Sequence, residues 1–447
     1  MGFGVDGLIS GMNTGAMVDA MVAVYSLPQK ALERDISNTT KQKTAVGNVI
    51  ARLDKIDDAI KAVEDEADFK VYKAEYAETD AFKVTTSSGA IPGSYSIQVN
   101  QLATTELEVT DGFDDKSSTG VIAEGTMVVT YAGEATEITV DSDNSSLSAL
   151  ASAIDDIEGL SAYVLNTGAS SKPYKLVVQG EDTGEDNTIE FDTSGLTEES
   201  GTVPSFSEER AAADAEVEIN GITVTDSDNS FGSAIPGLDI DIYQTNTSAE
   251  NVTVGLDTDE IESNVQEIVD AYNNVISYVD AQTVYNTDLG IAGPLVGNTT
   301  VTRVLRKLAS VVGDQYSSGS TLDSLSLMGI TSNTDGTLSI DSSDFQDALD
   351  DNLDDVVGMF TDSAGFGATM REQIDVYTDT VDGTLESYKD SLEGQIRDLE
   401  DSVADYDYRI NRYEERLRAQ FAAMESILGG MQGTSNYMAQ MMSTNKK

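Results

Sequence analysis

The sequence predicts an α+β multidomain fold: a discontinuous helical bundle or coiled coil drawn from both chain termini, with two β-rich domains inserted between them. Three observations predict it. Near the N-terminus, apolar residues recur at Val46, Val49, Leu53, Ile56, Ile60, Val63 and Ala67, stepping three then four. Near the C-terminus the same step runs through Ile396, Leu399, Val403, Tyr406, Ile410, Tyr413 and Leu417. Such a stripe turns one narrow helix face towards a partner helix. Between the two, apolar and polar residues alternate with a period of two, as in half-buried strands.

Taken in order, residues 1–26 are rich in Gly, and the first helix is expected only over Ala16–Tyr25. Pro28 suits a helix start, and a helix over about Gln29–Ala67 follows. Strands are expected at Phe82–Thr85 and Tyr95–Val99, then a polar break at Asp111–Gly120. Met127–Tyr131 and Glu137–Val140 read as strands, Ser145–Ile157 as a helix, and Ala162–Leu165 and Lys175–Val178 as strands again. Asp192–Glu209 reads as a second polar break. Strands return at Ala215–Ile219, Ile222–Thr225, Leu238–Tyr243 and Asn251–Val254, with Asn220-Gly221 as a hairpin turn. From Asp259 the pattern is helical, with Ile261, Val265, Ile268, Tyr272, Ile276 and Val279 on one face. Gly290–Gly297 is a loop, Thr300–Val312 a helix, Leu338–Ile340 a short strand and Phe345–Phe360 a helix. A final helix is expected from Thr369 to about Leu428, since no Pro follows Pro294. The resulting domains are terminal segments 1–40 and 430–447, ordered on assembly; a helical domain from 41–70 and 259–429; an inner β-rich domain from 71–111 and 205–258; and an outer β-rich insert, 112–204, with one helix.

Composition removes most competing chemistry. The 447 residues include no Cys, His or Trp. Zinc fingers, iron–sulfur clusters, His-based triads and disulfide staples are thereby excluded. The formal charge is −53, from 79 acidic and 26 basic residues. Residues 74–258 carry 35 carboxylates against 5 basic side chains. A basic footprint for nucleic acid is absent, and an anionic membrane would repel the chain. No apolar run is long enough to span a bilayer. Met1–Asp6 lacks the basic start of a cleavable secretion signal.

Several motifs reduce to simpler readings. Gly2-Phe3-Gly4-Val5-Asp6-Gly7 has the G-x-G-x-x-G spacing, but no strand precedes it. Asn333-Thr334-Asp335-Gly336 resembles the middle of a calcium loop, yet Thr331 and Ser342 stand where the key carboxylates belong; a β-turn explains it better. Asp141-Ser142-Asp143-Asn144-Ser145 recurs as Asp226-Ser227-Asp228-Asn229-Ser230, fit for Asx turns. Ala90-Ile91-Pro92-Gly93 recurs as Ala234-Ile235-Pro236-Gly237, suggesting related turns. No carboxylate pair among so many stands out as catalytic, and neither a cofactor nor a metal is expected. Arg409, Arg412, Arg416 and Arg418 lie beside Glu414 and Glu415, fit either for pairs within the helix or for an acidic neighbouring subunit.

The order of segments resembles the bacterial flagellar filament cap family, flagellar hook-associated protein 2. The resemblance is carried by Gly7-Leu8-Ile9-Ser10-Gly11-Met12-Asn13-Thr14 with Met17–Val22, and by Pro92-Gly93-Ser94-Tyr95-Ser96-Ile97-Gln98-Val99-Asn100-Gln101-Leu102-Ala103. Ala234–Leu238, Val269-Asp270-Ala271-Tyr272-Asn273, Gly293-Pro294-Leu295, Gly329-Ile330-Thr331 with Asp335–Leu338, and Arg416–Tyr437 follow in order. The resemblance implies a non-enzymatic structural protein, extracellular at the distal tip of the flagellum and exported without a cleavable signal peptide. It implies a homo-oligomeric ring that promotes flagellin folding and insertion. The implied partners are other copies of the chain, flagellin, hook-associated junction proteins and a flagellar export chaperone. Phe421, Met424, Ile427, Leu428 and Met431 become candidate assembly or chaperone contacts. A hook–filament junction protein, a flagellin-like subunit or a surface adhesin is the alternative.

Overall fold

A computed structural model describes residues 11, 13–286, 290–316 and 321–444. The Gly2–Gly7 motif lies outside the described residues. The chain divides into two compact units, residues 1–69 with 262–447 and residues 70–261. The first is helical and is built from both ends of the chain; the second is β-rich.

Helix α1 (Thr14–Tyr25) is capped by Asn13, whose Oδ1 accepts from the N–H of Ala16 at 3.0 Å. Helix α2 (Leu27–Lys61) starts with Pro28 in its first turn, where the missing N–H costs nothing. It ends six residues before the expected Ala67. Ala67 falls in a separate short helix, α3 (Glu66–Phe69), and is exposed; Phe69 is buried instead and stacks on Phe360 at 5.4 Å. The seam therefore closes at Val63.

The β-rich unit holds two hydrophobic cores. The inner one lies among β1 (Tyr72–Glu75), β2 (Phe82–Thr86), β3 (Gly93–Gln101), β11 (Ala215–Ile219), β12 (Ile222–Asp226), β13 (Leu238–Ile242) and β14 (Glu250–Leu256), with Ile97, Val99, Val217, Ile240 and Val252 at its centre. The sheet order is β1-β14-β3-β11-β12, with β2 and β13 paired separately, all antiparallel. Asn220 and Gly221 form the β11–β12 hairpin at φ 52° and 81°, the left-handed pair a type I′ turn demands.

The outer core lies between a sheet ordered β10-β4-β8-β7 and one ordered β6-β5-β9. These are β4 (Leu107–Thr110), β5 (Glu124–Tyr131), β6 (Glu134–Val140), β7 (Leu160–Asn166), β8 (Tyr174–Gly180), β9 (Ile189–Thr197) and β10 (Phe206–Arg210). Helix α4 (Leu147–Asp155) buries Leu147, Leu150 and Ile154 in this core. The expected polar break at Asp192–Glu209 is thus corrected: β9 and β10 run through it. Their exposed positions carry Glu190, Asp192, Glu208 and Glu209, so the apolar alternation that marks a strand is nearly erased.

The echoed motifs resolve differently. Asp141 Oδ1 accepts from the N–H of Asp143 and Asp226 Oδ1 from that of Asp228, at 2.9 and 3.1 Å; both are Asx turns. The Ala-Ile-Pro-Gly pair, by contrast, is not one turn used twice. Ala234–Gly237 is a tight turn closed by Leu238 N–H on Ile235 O at 3.1 Å. Ala90–Gly93 instead leads straight into β3.

The helical unit continues with α5 (Thr258–Thr283), the two-residue strands β15 (Tyr285–Asn286) and β16 (Ile291–Ala292), α6 (Thr299–Gly313), the hairpin β17 (Ile330–Ser332) and β18 (Leu338–Ile340), α7 (Ser342–Thr361), α8 (Phe366–Thr378) and α9 (Thr384–Thr444). Asn273 of α5 clamps β18 from both sides, donating to Leu338 O at 2.9 Å and accepting from its N–H at 2.6 Å. The Asn333–Gly336 segment is the turn of that hairpin: Asp335 Oδ1 accepts from Thr337 N–H at 3.0 Å.

The expected single helix from Thr369 is two helices. Asp379 Oδ1 accepts from Val381 and Asp382 N–H at 2.7 and 3.0 Å, making a turn without Pro. At Gly383 a Cβ would stand 2.3 Å from Asp379 O, so the chain can fold back there only with Gly. Helix α9 then runs 61 residues, about 90 Å at 1.5 Å per residue.

Candidate functional site: the terminal helix pair

The N- and C-terminal helices lie antiparallel. Four contacts fix the register: Lys43 Nζ on Glu393 at 2.8 Å, Gln29 Nε2 on Asp407 at 2.6 Å, Tyr25 stacked on Tyr413 with centroids 4.4 Å apart, and Arg418 on Asp19 at 3.5 Å. Each step back along α2 and α1 is matched by a near-equal step forward along α9. This is the arrangement that heptads on both ends of one chain permit.

The register separates the two predicted stripes. Val46, Val49, Leu53, Ile56, Ile60 and Val63 are all fully buried in the core of the helical unit. Ile56 meets Val265, Tyr272, Phe360 and Met370 around one apolar cavity. On α9, Ile410 and Leu417 are buried, whereas Ile396, Leu399, Val403, Tyr406 and Tyr413 are half-buried. Opposite them the register brings the stretch of α2 holding half-buried Leu32 and Ile36, rather than Val46–Val63. The heptad reading missed Leu385 and Leu392, both buried. They lie fourteen and seven residues before Leu399, so extending the repeat backwards finds them.

Charge along the pair is mostly local. Arg418 bonds Glu414 at 2.8 Å on its own helix as well as reaching Asp19. Arg409, Arg412 and Arg416 lie over the rings of Tyr406, Tyr408 and Tyr413 at 5.3–5.7 Å. The Lys43 ammonium holds the Glu393 carboxyl below its usual value. Deeper in the unit, Arg371 of α8 bonds Asp57 at 2.9 Å and also pairs with Glu64, tying α8 to the end of α2. Nothing in the spacing of these three residues announced that tie.

Beyond Leu417 the helix loses cover. Phe421, Met424 and Leu428 are half-buried, while Ile427 and Met431 are each 65% exposed. Residues 430–442 are exposed throughout, including Tyr437, Met438, Met441 and Met442. The seven-residue step from Ile396 through Val403, Ile410 and Leu417 nevertheless continues through Met424, Met431 and Met438. Among the described residues, no group of three or more acidic side chains is placed to hold a metal ion, and no helix is long and apolar enough to cross a membrane.

Residues 10–106 match the family model described as flagellar hook-associated protein 2 N-terminus, and residues 212–433 the one described as flagellar hook-associated protein 2 C-terminus. The B-type flagellar hook-associated protein 2 of Pseudomonas aeruginosa is 26% identical over 417 residues, covering 87% of this chain and 86% of that one. The flagellar hook-associated protein 2 of Escherichia coli K12 is 25% identical over 462 residues, 98% of each. The crystal structure of the flagellar cap protein FliD D1-D2-D3 domains from Escherichia coli superposes with a TM-score of 0.63 at 24% identity. It covers 78% of this chain and 99% of that one, a likeness of fold.

Proposed function

The chain belongs to the flagellar hook-associated protein 2 family, and from that premise we propose that it caps the distal tip of a bacterial flagellar filament as a homo-oligomeric ring. In this role it is structural, without catalysis or cofactor, and it promotes the folding and insertion of flagellin beneath it. The observation that carries the reading is the terminal helix pair, closed over residues 19–43 and 393–418 and open beyond. An apolar heptad that continues on an uncovered helix gains stability only by burial against another chain. Ile427, Met431 and Met438 are the residues proposed to make that contact, and Phe421, Met424 and Leu428 to flank it.

Other copies of the chain, flagellin and the hook-associated junction proteins are the proposed partners in the filament. A flagellar export chaperone would cover the same Met-rich end before export. Residues 1–40 and 430–447 are proposed to complete their packing on assembly, around a helical domain of 41–70 and 259–429 and two β-rich domains; the expected limits of the outer one, 112–204, widen to take in β4 and β10, which pair in its sheet rather than with the inner domain expected at 71–111 and 205–258.

Deleting the encoding gene should abolish filaments and release monomeric flagellin into the medium, and a chain cut after Gly430 should fail to restore them. Normal filaments in the deletion strain would overturn the proposal. Immunogold should mark the filament tip; marking along the shaft would make the chain a filament subunit instead.

A further inference from the structure

Strand β4 alternates Leu107, Glu108, Val109, Thr110, which places the glutamate on the solvent face by pattern. The pairing places it on the other. Glu108 stands opposite Val178 of β8, Thr110 bonds Leu176 of the outer core, and Val178 and Leu176 are both core residues. Glu108 therefore faces inward, at the edge where β10 borders the sandwich. It is 8% exposed, and its Oε2 is buried without a hydrogen-bond partner among the described residues.

The groups around it are acidic. Glu208 of β10 is its direct cross-strand neighbour, at a register break in that strand. Glu106, two residues away and just before β4, is 4% exposed and accepts from the N–H of Ile189 on β9 at 2.9 Å. Glu190 of β9 adds its charge to the field at Glu106. Strand β8 contributes Leu176, Val178 and Gly180 to this face, none of them charged. The one basic residue of β10, Arg210, is turned to Thr105, bonding its O and Oγ1 at 2.8 and 2.6 Å.

Two ties join this acidic edge to β9. One is the Glu106–Ile189 bond; the other is the stack of Phe206 on Phe191, with centroids 3.6 Å apart. We propose that the β4–β9–β10 edge of the outer β-sandwich is a proton-operated clasp, closed when Glu108 carries a proton and loosened when it does not. A neutral carboxyl can sit against the core beside two other carboxyls. An ionised one must be desolvated among like charges, and it regains water only if β9 and β10 part from β4. Burial first, and then the charges of Glu106 and Glu208, push the Glu108 carboxyl up to about 7.

The sign follows from linkage. The open edge leaves Glu108 with an ordinary carboxylate value and no proton at neutral pH, whereas the closed edge keeps the proton. The opening constant therefore rises with pH, about tenfold per unit for one proton. The rise begins above the ordinary glutamate range and levels off near pH 7.

Amide hydrogen exchange of the full chain from pH 5 to 8, corrected for intrinsic rates, tests this. Residues 189–197 and 206–210 should lose protection as pH rises to about 7 and then hold steady. Glu108→Gln should abolish that dependence. The carbon-13 carboxyl resonance of Glu108 in the unaltered chain should titrate near neutrality, a readout that does not depend on any variant folding. Protection that ignores pH, a Glu108→Gln chain with an unchanged profile, or a Glu108 resonance titrating at the ordinary glutamate value would each overturn the clasp.

Discussion

The ring of Tyr25 lies on the ring of Tyr413, with centroids 4.4 Å apart and planes 25° apart, and so joins the end of α1 to the middle of α9. No other contact along the pair brings two aromatic faces together among the described residues. An offset stack contributes about 0.5–1.5 kcal/mol beyond the area it buries. It also sits where the chain passes from α1 into α2 through Ser26, so it fixes the angle of that step.

Tyr25→Ala and Tyr413→Ala should therefore each destabilise the helical unit by about 1–2 kcal/mol. The double variant should cost less than the two losses combined, by about 1 kcal/mol. Calorimetry of the helical transition measures all three. Strict additivity would mean the rings act separately.

Arg371 supplies the second prediction. Burial alone would raise the Asp57 carboxyl, but bonds from Lys61 and Arg371 outweigh it and hold that carboxyl below its usual value. A depressed folded-state value gives stability that is present above the unfolded value, near 4, and lost as pH falls through the folded one. Arg371→Met should remove about 1 kcal/mol at neutral pH, modest because the pair is partly exposed. It should also flatten the loss of stability on acidification below about pH 4. Acid titration of both chains, followed by circular dichroism, decides it.

How much of this could be read in the sequence follows from what each element needs. The heptads, the Asn220-Gly221 hairpin and the β-β-α-β-β insert rest on local pattern, and local pattern is written residue by residue. The break at Asp379–Gly383 rests on a carboxylate accepting two N–H groups and on a backbone approach only Gly permits, so no apolar period marks it. Strands β9 and β10 were hidden because their exposed positions are acidic in a chain that is acidic nearly everywhere. Glu108 was the least legible: Leu107 and Val109 look like the buried face of β4, and although Val109 is indeed buried, only the pairing with Val178 shows that Glu108 faces the outer core. The tie between Arg371 and Asp57 joins residues far apart in the chain and leaves no mark on either segment.

The two Ala-Ile-Pro-Gly segments give a paired test. At Gly237 φ is +74°, and a Cβ would meet Ala90 N at 2.2 Å and Gly89 C at 2.4 Å. The second copy of the motif is thus packed backbone to backbone against the first. At Gly93 a Cβ would make ordinary contact with the Tyr95 hydroxyl at 3.6 Å, with an unstrained backbone. Gly237→Ala should cost about 3 kcal/mol or more, from left-handed strain plus displaced backbone. Gly93→Ala should change stability by no more than about 0.5 kcal/mol. Equal losses in thermal melts would show that the motif, and not its packing, is what matters.

The last prediction concerns the charge itself. With 35 carboxylates against 5 basic side chains over residues 74–258, most acidic groups there have no cation to pair with, and their mutual repulsion opposes the compact state. Lys73 illustrates the scarcity: its ammonium lies within 3.3–3.5 Å of Glu75, Asp257 and Asp259 at once. Added salt shortens the screening length from about 10 Å at 0.1 M to about 3 Å at 1 M. Repulsion between exposed charges then falls sharply, while the buried cores are untouched. Raising sodium chloride over that range should lift the melting temperature of the β-rich unit by several degrees, and by more than that of the helical unit, where arginines and lysines are interleaved with the acids. Reversing charge at exposed strand positions, for example Glu134→Lys with Glu137→Lys on β6, should reproduce part of the gain at low salt and shrink the response to salt. A β-rich transition that does not move with salt would mean that the surface is already compensated, and that its acidity serves something other than stability in a saline medium.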